Sequence, residues 1–117
     1  MRVVAIPEVI EYLEGLVDVL YEKGYFSLED DSVNYVADLF EDIITKLPTR
    51  LSKPAPQFFR KYGEDLEYAA FPKSKRTTWY VFFDVYRDNE EITYLVRHIE
   101  NNHTAAQYLE PGFLPGF

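Results

Sequence analysis

No cysteine occurs among the 117 residues, which excludes a disulfide framework, a thiolate metal site and a cysteine nucleophile. That absence suits a reducing compartment. No apolar run approaches the roughly 20 residues of a membrane helix, and the opening MRVVAIPEVIEYLEGL carries acidic residues where a secretory signal needs unbroken apolar sequence. A cytoplasmic location without membrane contact is expected. The five glycines form no G-x-G-x-x-G, no Walker-type loop and no G-x-S-x-G elbow, so nucleotide-binding and serine-hydrolase readings lose their usual footing. Basic residues are also few, 12 against 20 acidic, for a net charge of −8. That balance argues against broad, nonspecific nucleic-acid binding, which rewards many phosphate contacts from a positive face.

The charge is unevenly placed. Residues 1–50 hold four basic and eleven acidic side chains, which leaves the second half nearly neutral. Arg50, Lys53, Arg60 and Lys61 form one local basic cluster there, and Lys73, Lys75 and Arg76 form another. Apolar residues make up 47% of the chain and aromatics 17%, far from a disordered composition and enough for one core in a domain of this length.

Met1 to Ile6, MRVVAI, form a short, mainly apolar lead-in that suits a first strand or an extended segment and is closed by Pro7, which fits the first turn of a helix. Over Glu8–Lys23, Val9, Leu13, Leu16 and Leu20 recur at steps of three and four opposite Glu8, Glu11, Glu14, Asp18 and Glu22, an amphipathic helix ended by Gly24. Ser27 and Asp30 have capping-box spacing, which predicts a second helix from about Leu28. Val33, Val36, Phe40, Ile43, Ile44 and Leu47 give its stripe, and Pro48 ends it. Residues 49–63 read as a loop with one turn near Gln57–Lys61.

Beyond that loop the period becomes two. Strands are expected at Leu66–Phe71, at Thr77–Arg87 with Trp79, Val81, Phe83 and Val85 on one face, and at Ile92–Ile99 after a turn at Asp88-Asn89. Rings occupy both faces of the central strand, so one face is core and the other is open to packing by a terminal helix, a partner or RNA bases. ENNHTAAQYL, residues 100–109, suits a short helix capped by Asn101 or Asn102, and the Pro- and Gly-broken tail over 110–117 suits a surface groove. The fold class is therefore α+β in one domain over 1–117. A helical hairpin that includes Leu13, Leu16, Leu20, Val36 and Phe40 in its core face packs on a small antiparallel sheet with Trp79 at the interface, and a short helix follows.

Two histidines exist, His98 and His103, with Glu100 between them. A transition-metal site wants three or four ligands, and this spacing crosses a strand end, so no metal is expected. General acid–base work by imidazole and an ordinary polar role at a strand end both remain open.

The helical hairpin, then Tyr80-Val81-Phe82-Phe83, the charged turn Arg87-Asp88-Asn89-Glu90 and Ile92-Thr93-Tyr94-Leu95-Val96-Arg97-His98 before a short helix, resembles the RelE/ParE toxin superfamily over most of the chain and specifically over about residues 66–109. The resemblance implies a first strand at residues 2–6 that joins the sheet. It also implies the toxin of a toxin–antitoxin pair, with a cognate antitoxin as partner and no cofactor. Its target would be mRNA at the ribosome or, in ParE-like members, DNA gyrase; an inactive protein-binding relative is the further alternative. For a metal-independent endoribonuclease it implies Arg97, His98, Tyr108 and Arg76 as catalytic residues, with Lys73, Lys75, Arg60 and Lys61 holding substrate. Tyr80 stands where many cleaving members place an arginine, and Glu100 where a basic residue is usual.

Overall fold

The computed structural model describes residues 1–105, in the order β1 (Arg2–Ala5), α1 (Pro7–Glu22), α2 (Glu29–Lys46), β2 (Ser52–Pro54), a 3₁₀ helix at Gln57–Tyr62, β3 (Glu67–Pro72), β4 (Thr78–Asp88), β5 (Glu91–Asn101) and α3 (Asn102–Ala105). Pro7 starts α1 as its spacing predicts, and the helix ends in a left-handed Gly24 with Tyr25 N–H bonded to Leu20 O at 3.0 Å. The expected capping box of α2 is absent. Leu28 occupies the cap position without a side-chain bond, and Glu29, Asp30 and Asp31 stabilise the helix start through their charge instead. The stripe is also rotated from expectation: Val33 is exposed, Leu39 is fully buried, and Phe40 and Leu20 are only partly covered. Buried Ser32 explains part of that rotation, because its hydroxyl donates to Val17 O at 2.6 Å and ties the two helices together at this point.

The sheet order is β1-β5-β4-β3-β2, with every pair antiparallel except β1 on β5. The expected meander is present, and the N-terminal strand joins it. The sheet is mixed, however, and not purely antiparallel, and it carries an unforeseen fifth strand. The helical hairpin returns the chain to its starting end, and three strand reversals follow β2, so β1 and β5 run the same way. β2 is a three-residue edge strand that ends on Pro54, too short for the period-two pattern to register.

Two cores result. The helices bury Leu13, Leu16, Val36, Leu39 and Ile43 against Trp79, Val81 and Phe83, and Trp79 Nε1 donates to Tyr35 Oη at 2.9 Å. The opposite face is covered by the segment that reads as a loop: Phe59 of the 3₁₀ helix is 0% exposed and stacks on Phe82 at 4.3 Å, with Leu66, Tyr68 and Tyr80 around it. Fully burying such a ring is worth about 1.5–3 kcal/mol, which pins residues 57–62 to the sheet. β4 is thus buried on both faces from Thr78 to Phe83, and this accounts for its rings on both sides. β5 stops at Asn101, whose side chain accepts the His103 N–H at 2.9 Å as a cap for α3. The remainder of the expected helix to Leu109, and the tail over 110–117, lie outside the described residues.

Candidate functional site

Consecutive residues of a regular strand point to opposite faces. β5 departs from that rule at one position. Phe82 pairs with His98 and Phe83 with Val96, so Arg97 is an extra residue without a counterpart, a β-bulge. Val96 and Ile99 consequently both reach the helical core, while Arg97 and His98 both turn to the opposite face. Arg97 Nε donates to Asp84 Oδ2, and Nη2 donates to Tyr86 Oη at 2.9 Å. His98 lies flat against Tyr62, with ring centroids 3.6 Å apart and planes 6° apart, and its Nε2 is 2.6 Å from Glu100 Oε1.

The 3₁₀ helix supplies the other wall. Phe59 and Tyr62 are three apart and fall on one side of a helix with three residues per turn, so anchoring Phe59 in the core sets Tyr62 over His98. Lys61 follows, its Nζ 4.3 Å from the Phe58 ring centre. Gly63 then passes so close to β5 that a Cβ there would sit 3.1 Å from Arg97 Cδ and 3.1 Å from Leu66 Cδ2.

β1 covers β5 only from Thr93 to Val96, after which the chain turns away into α1. The uncovered end of β5, the start of α1 and the 3₁₀ helix enclose a recess of about 460 Å³, lined by Glu8, Tyr12, Lys61, Tyr62, Arg97 and His98 together with apolar Ile6, Val9 and Ile99. Burial is the main influence on His98 and, with the Lys61 charge, holds its pKa below the ordinary histidine value; the Glu100 bond pulls the other way without overcoming it. A neutral imidazole near pH 7 follows. Tyr12 is pushed above the ordinary tyrosine value, first by burial and then by the Glu100 charge, so its phenol stays protonated.

The residues expected from the sequence are only partly gathered here. Arg97, His98 and Lys61 meet in the recess. Arg60 turns outward toward Glu64, 3.6 Å away with both side chains exposed, beside a separate recess near Pro54 and Leu66. Arg76 does not join them: it sits in the exposed β3–β4 turn, six residues before Phe82, or about 20 Å along an extended strand, and its carbonyl accepts Asn102 Nδ2 at 3.0 Å. Lys75 is exposed on that turn, and Lys73 reaches the helical side, 3.5 Å from Asp42. Tyr108 lies outside the described residues. Among the described residues no three carboxylate or imidazole groups converge as a metal site, and no helix is long and apolar enough to cross a membrane.

Tyr62, Glu100, Asp84 and Tyr86 went unassigned by sequence. One of them carried a signal, since Glu100 stands two residues after His98 and therefore on the same strand face. The bulge that brings Arg97 beside His98 carries none. Comparison of the chain with models of known families, with curated proteins and with solved structures gives no match.

Proposed function

We propose that the recess at Arg97 and His98 cleaves RNA without a metal, and that the chain is the RelE/ParE-like toxin of a toxin–antitoxin pair. The observation that carries this reading is the β-bulge, which sets a charged guanidinium and a neutral imidazole side by side on one face, next to Lys61. Those are the groups that phosphodiester transfer requires. The neutral imidazole takes the proton of a ribose 2′-hydroxyl, whose oxygen attacks the adjacent phosphorus. The 5′-oxygen leaves and takes a proton from water or from Tyr12, and a 2′,3′-cyclic phosphate remains. Charge accumulating on the phosphate oxygens is met by the Lys61 ammonium and the Arg97 guanidinium, which never deprotonates in this range. Asp84 and Tyr86 engage two of the five N–H donors of Arg97, so donors remain for phosphate.

A second reading rests on the same ion pair. Asp84 pairs with the Arg97 guanidinium, and a paired charge suits a protein-binding module or a ParE-like inhibitor of gyrase that does no chemistry on RNA. Induction in a bacterial host separates the two. Growth arrest with new mRNA ends, lost together in His98→Gln, is expected for the nuclease; arrest without new ends points to gyrase, and no arrest points to the binding module.

A further inference from the structure

His98 and Glu100 share a strand face, and Nε2 of the ring is 2.6 Å from Glu100 Oε1. A carboxylate only accepts hydrogen bonds, so the nitrogen facing it carries the proton, and a neutral ring then has its lone pair on the other nitrogen. The ring has little freedom to flip. Tyr62 stacks on it at 3.6 Å, the Phe82 ring centre lies 5.5 Å away and the Phe59 ring centre 6.4 Å away, and both the His98 and Glu100 side chains are more than four-fifths buried. We infer that Glu100 is the positioning residue that locks His98 in its Nε2–H form, making Nδ1 the atom that accepts the substrate proton. The role of Nδ1 rests on the nuclease reading; the locked ring form does not.

The titratable and charged groups facing His98 are Lys61 and Tyr62 from the 3₁₀ helix, Glu8 and Tyr12 from α1, and Arg97 and Glu100 from its own strand. β4 presents the apolar Phe82 at this point. Of these, Glu100 favours the charged ring and Lys61 opposes it. Glu100 therefore does two things at once. It selects the basic nitrogen, and it limits the drop in basicity that burial imposes, keeping the base effective near neutrality where proton transfer is best matched.

The test uses the full chain with ¹⁵N-labelled histidine and long-range ¹H–¹⁵N correlation, with His103→Gln assigning the two rings. At pH 8 wild type is expected to show His98 wholly as Nε2–H. Glu100→Gln, whose amide oxygen still accepts, keeps that form but moves the ring's titration midpoint to lower pH; Glu100→Leu gives a mixture with Nδ1–H. A wild-type ring in the Nδ1–H form or in a mixture overturns the proposal, as does an unchanged spectrum in Glu100→Leu. Should the leucine variant fail to fold, an unmoved midpoint in Glu100→Gln overturns it alone. With RNA as probe, the acid limb of the cleavage profile moves to lower pH in Glu100→Gln, while Glu100→Leu loses at least tenfold at every pH, part of the hundred- to ten-thousandfold that a positioned base contributes. A locked ring with no cleavage in any variant overturns the nuclease reading and the role of Nδ1, and leaves the Glu100–His98 lock standing.

Discussion

Tyr80 lies at the centre of β4 with 0% of its surface exposed, and its hydroxyl finds no hydrogen-bond partner among the described residues. Leaving a buried hydroxyl unpaired costs about 1–3 kcal/mol. Tyr80→Phe removes that cost and leaves a gap the size of one oxygen atom, whose lost contacts offset less than about 1 kcal/mol. The variant is therefore expected to be more stable than wild type by about 1 kcal/mol, which for a chain of this length is about 4 °C in melting temperature. The alkaline side gives a larger effect. Burial pushes the Tyr80 phenol up to about 12, with the neighbouring Tyr68 adding to it, against an unfolded value near 10. Because the folded pKa is raised, this contribution is intact below pH 10 and is lost as pH rises toward 12, when the unfolded chain releases the proton first. Two pH units correspond to about 3 kcal/mol in all, of which about half is lost by pH 11. Urea melts of wild type and Tyr80→Phe at pH 7, 9, 10 and 11 measure both terms. A phenylalanine variant that melts several degrees lower at pH 7, or that loses stability in base as steeply as wild type, refutes the reasoning.

Leu39→Ala should cost about 2–5 kcal/mol, because the residue is fully buried between the helices and the sheet and its removal leaves a cavity; urea midpoints read this directly. Gly63→Ala places a methyl group 3.1 Å from Arg97 Cδ and Leu66 Cδ2, so it should cost about 1–3 kcal/mol and shift the Arg97 side chain, seen as altered Arg97 Nε–H resonances in NMR. His98 has a folded pKa below its unfolded value, so the unfolded chain binds protons first and stability should fall as pH drops from about 6.5 through the folded pKa. That slope should flatten in His98→Gln when melts at pH 5 to 7 are compared.

The fold was legible where periodicity was strong. Val9, Leu13 and Leu16 lie on the buried face of α1, and Trp79, Val81 and Phe83 face the helices as alternation requires. It was misread where a polar side chain joined the core. Ser32 buries its hydroxyl on Val17 O, which rotates α2 so that Leu39 turns inward and Val33 outward. The second core was hidden because Phe59 belongs to a Pro-flanked segment with no strand or α-helix period, although its ring covers the sheet. Of the candidate site, His98 with Glu100 follows from strand alternation, and Lys61 stands out only as a member of a local basic cluster, since the Phe59 anchor that places it beside His98 has no sequence period. The pairing of Arg97 with His98 does not follow, since a bulge is a matter of register between two strands and only one strand is visible at a time.

The most direct measurement is cleavage of a 5′-labelled single-stranded RNA, alone and programmed on ribosomes, by the purified full chain in excess EDTA. Wild type is expected to cut and to leave 2′,3′-cyclic phosphate ends. His98→Gln should lose at least a hundredfold and Lys61→Ala should lose measurably, while Arg87→Ala, exposed at the far β4–β5 turn, should cut as wild type does. No cleavage in either form of the assay, or cleavage that survives His98→Gln, would contradict the placement of a nuclease site at the β5 bulge.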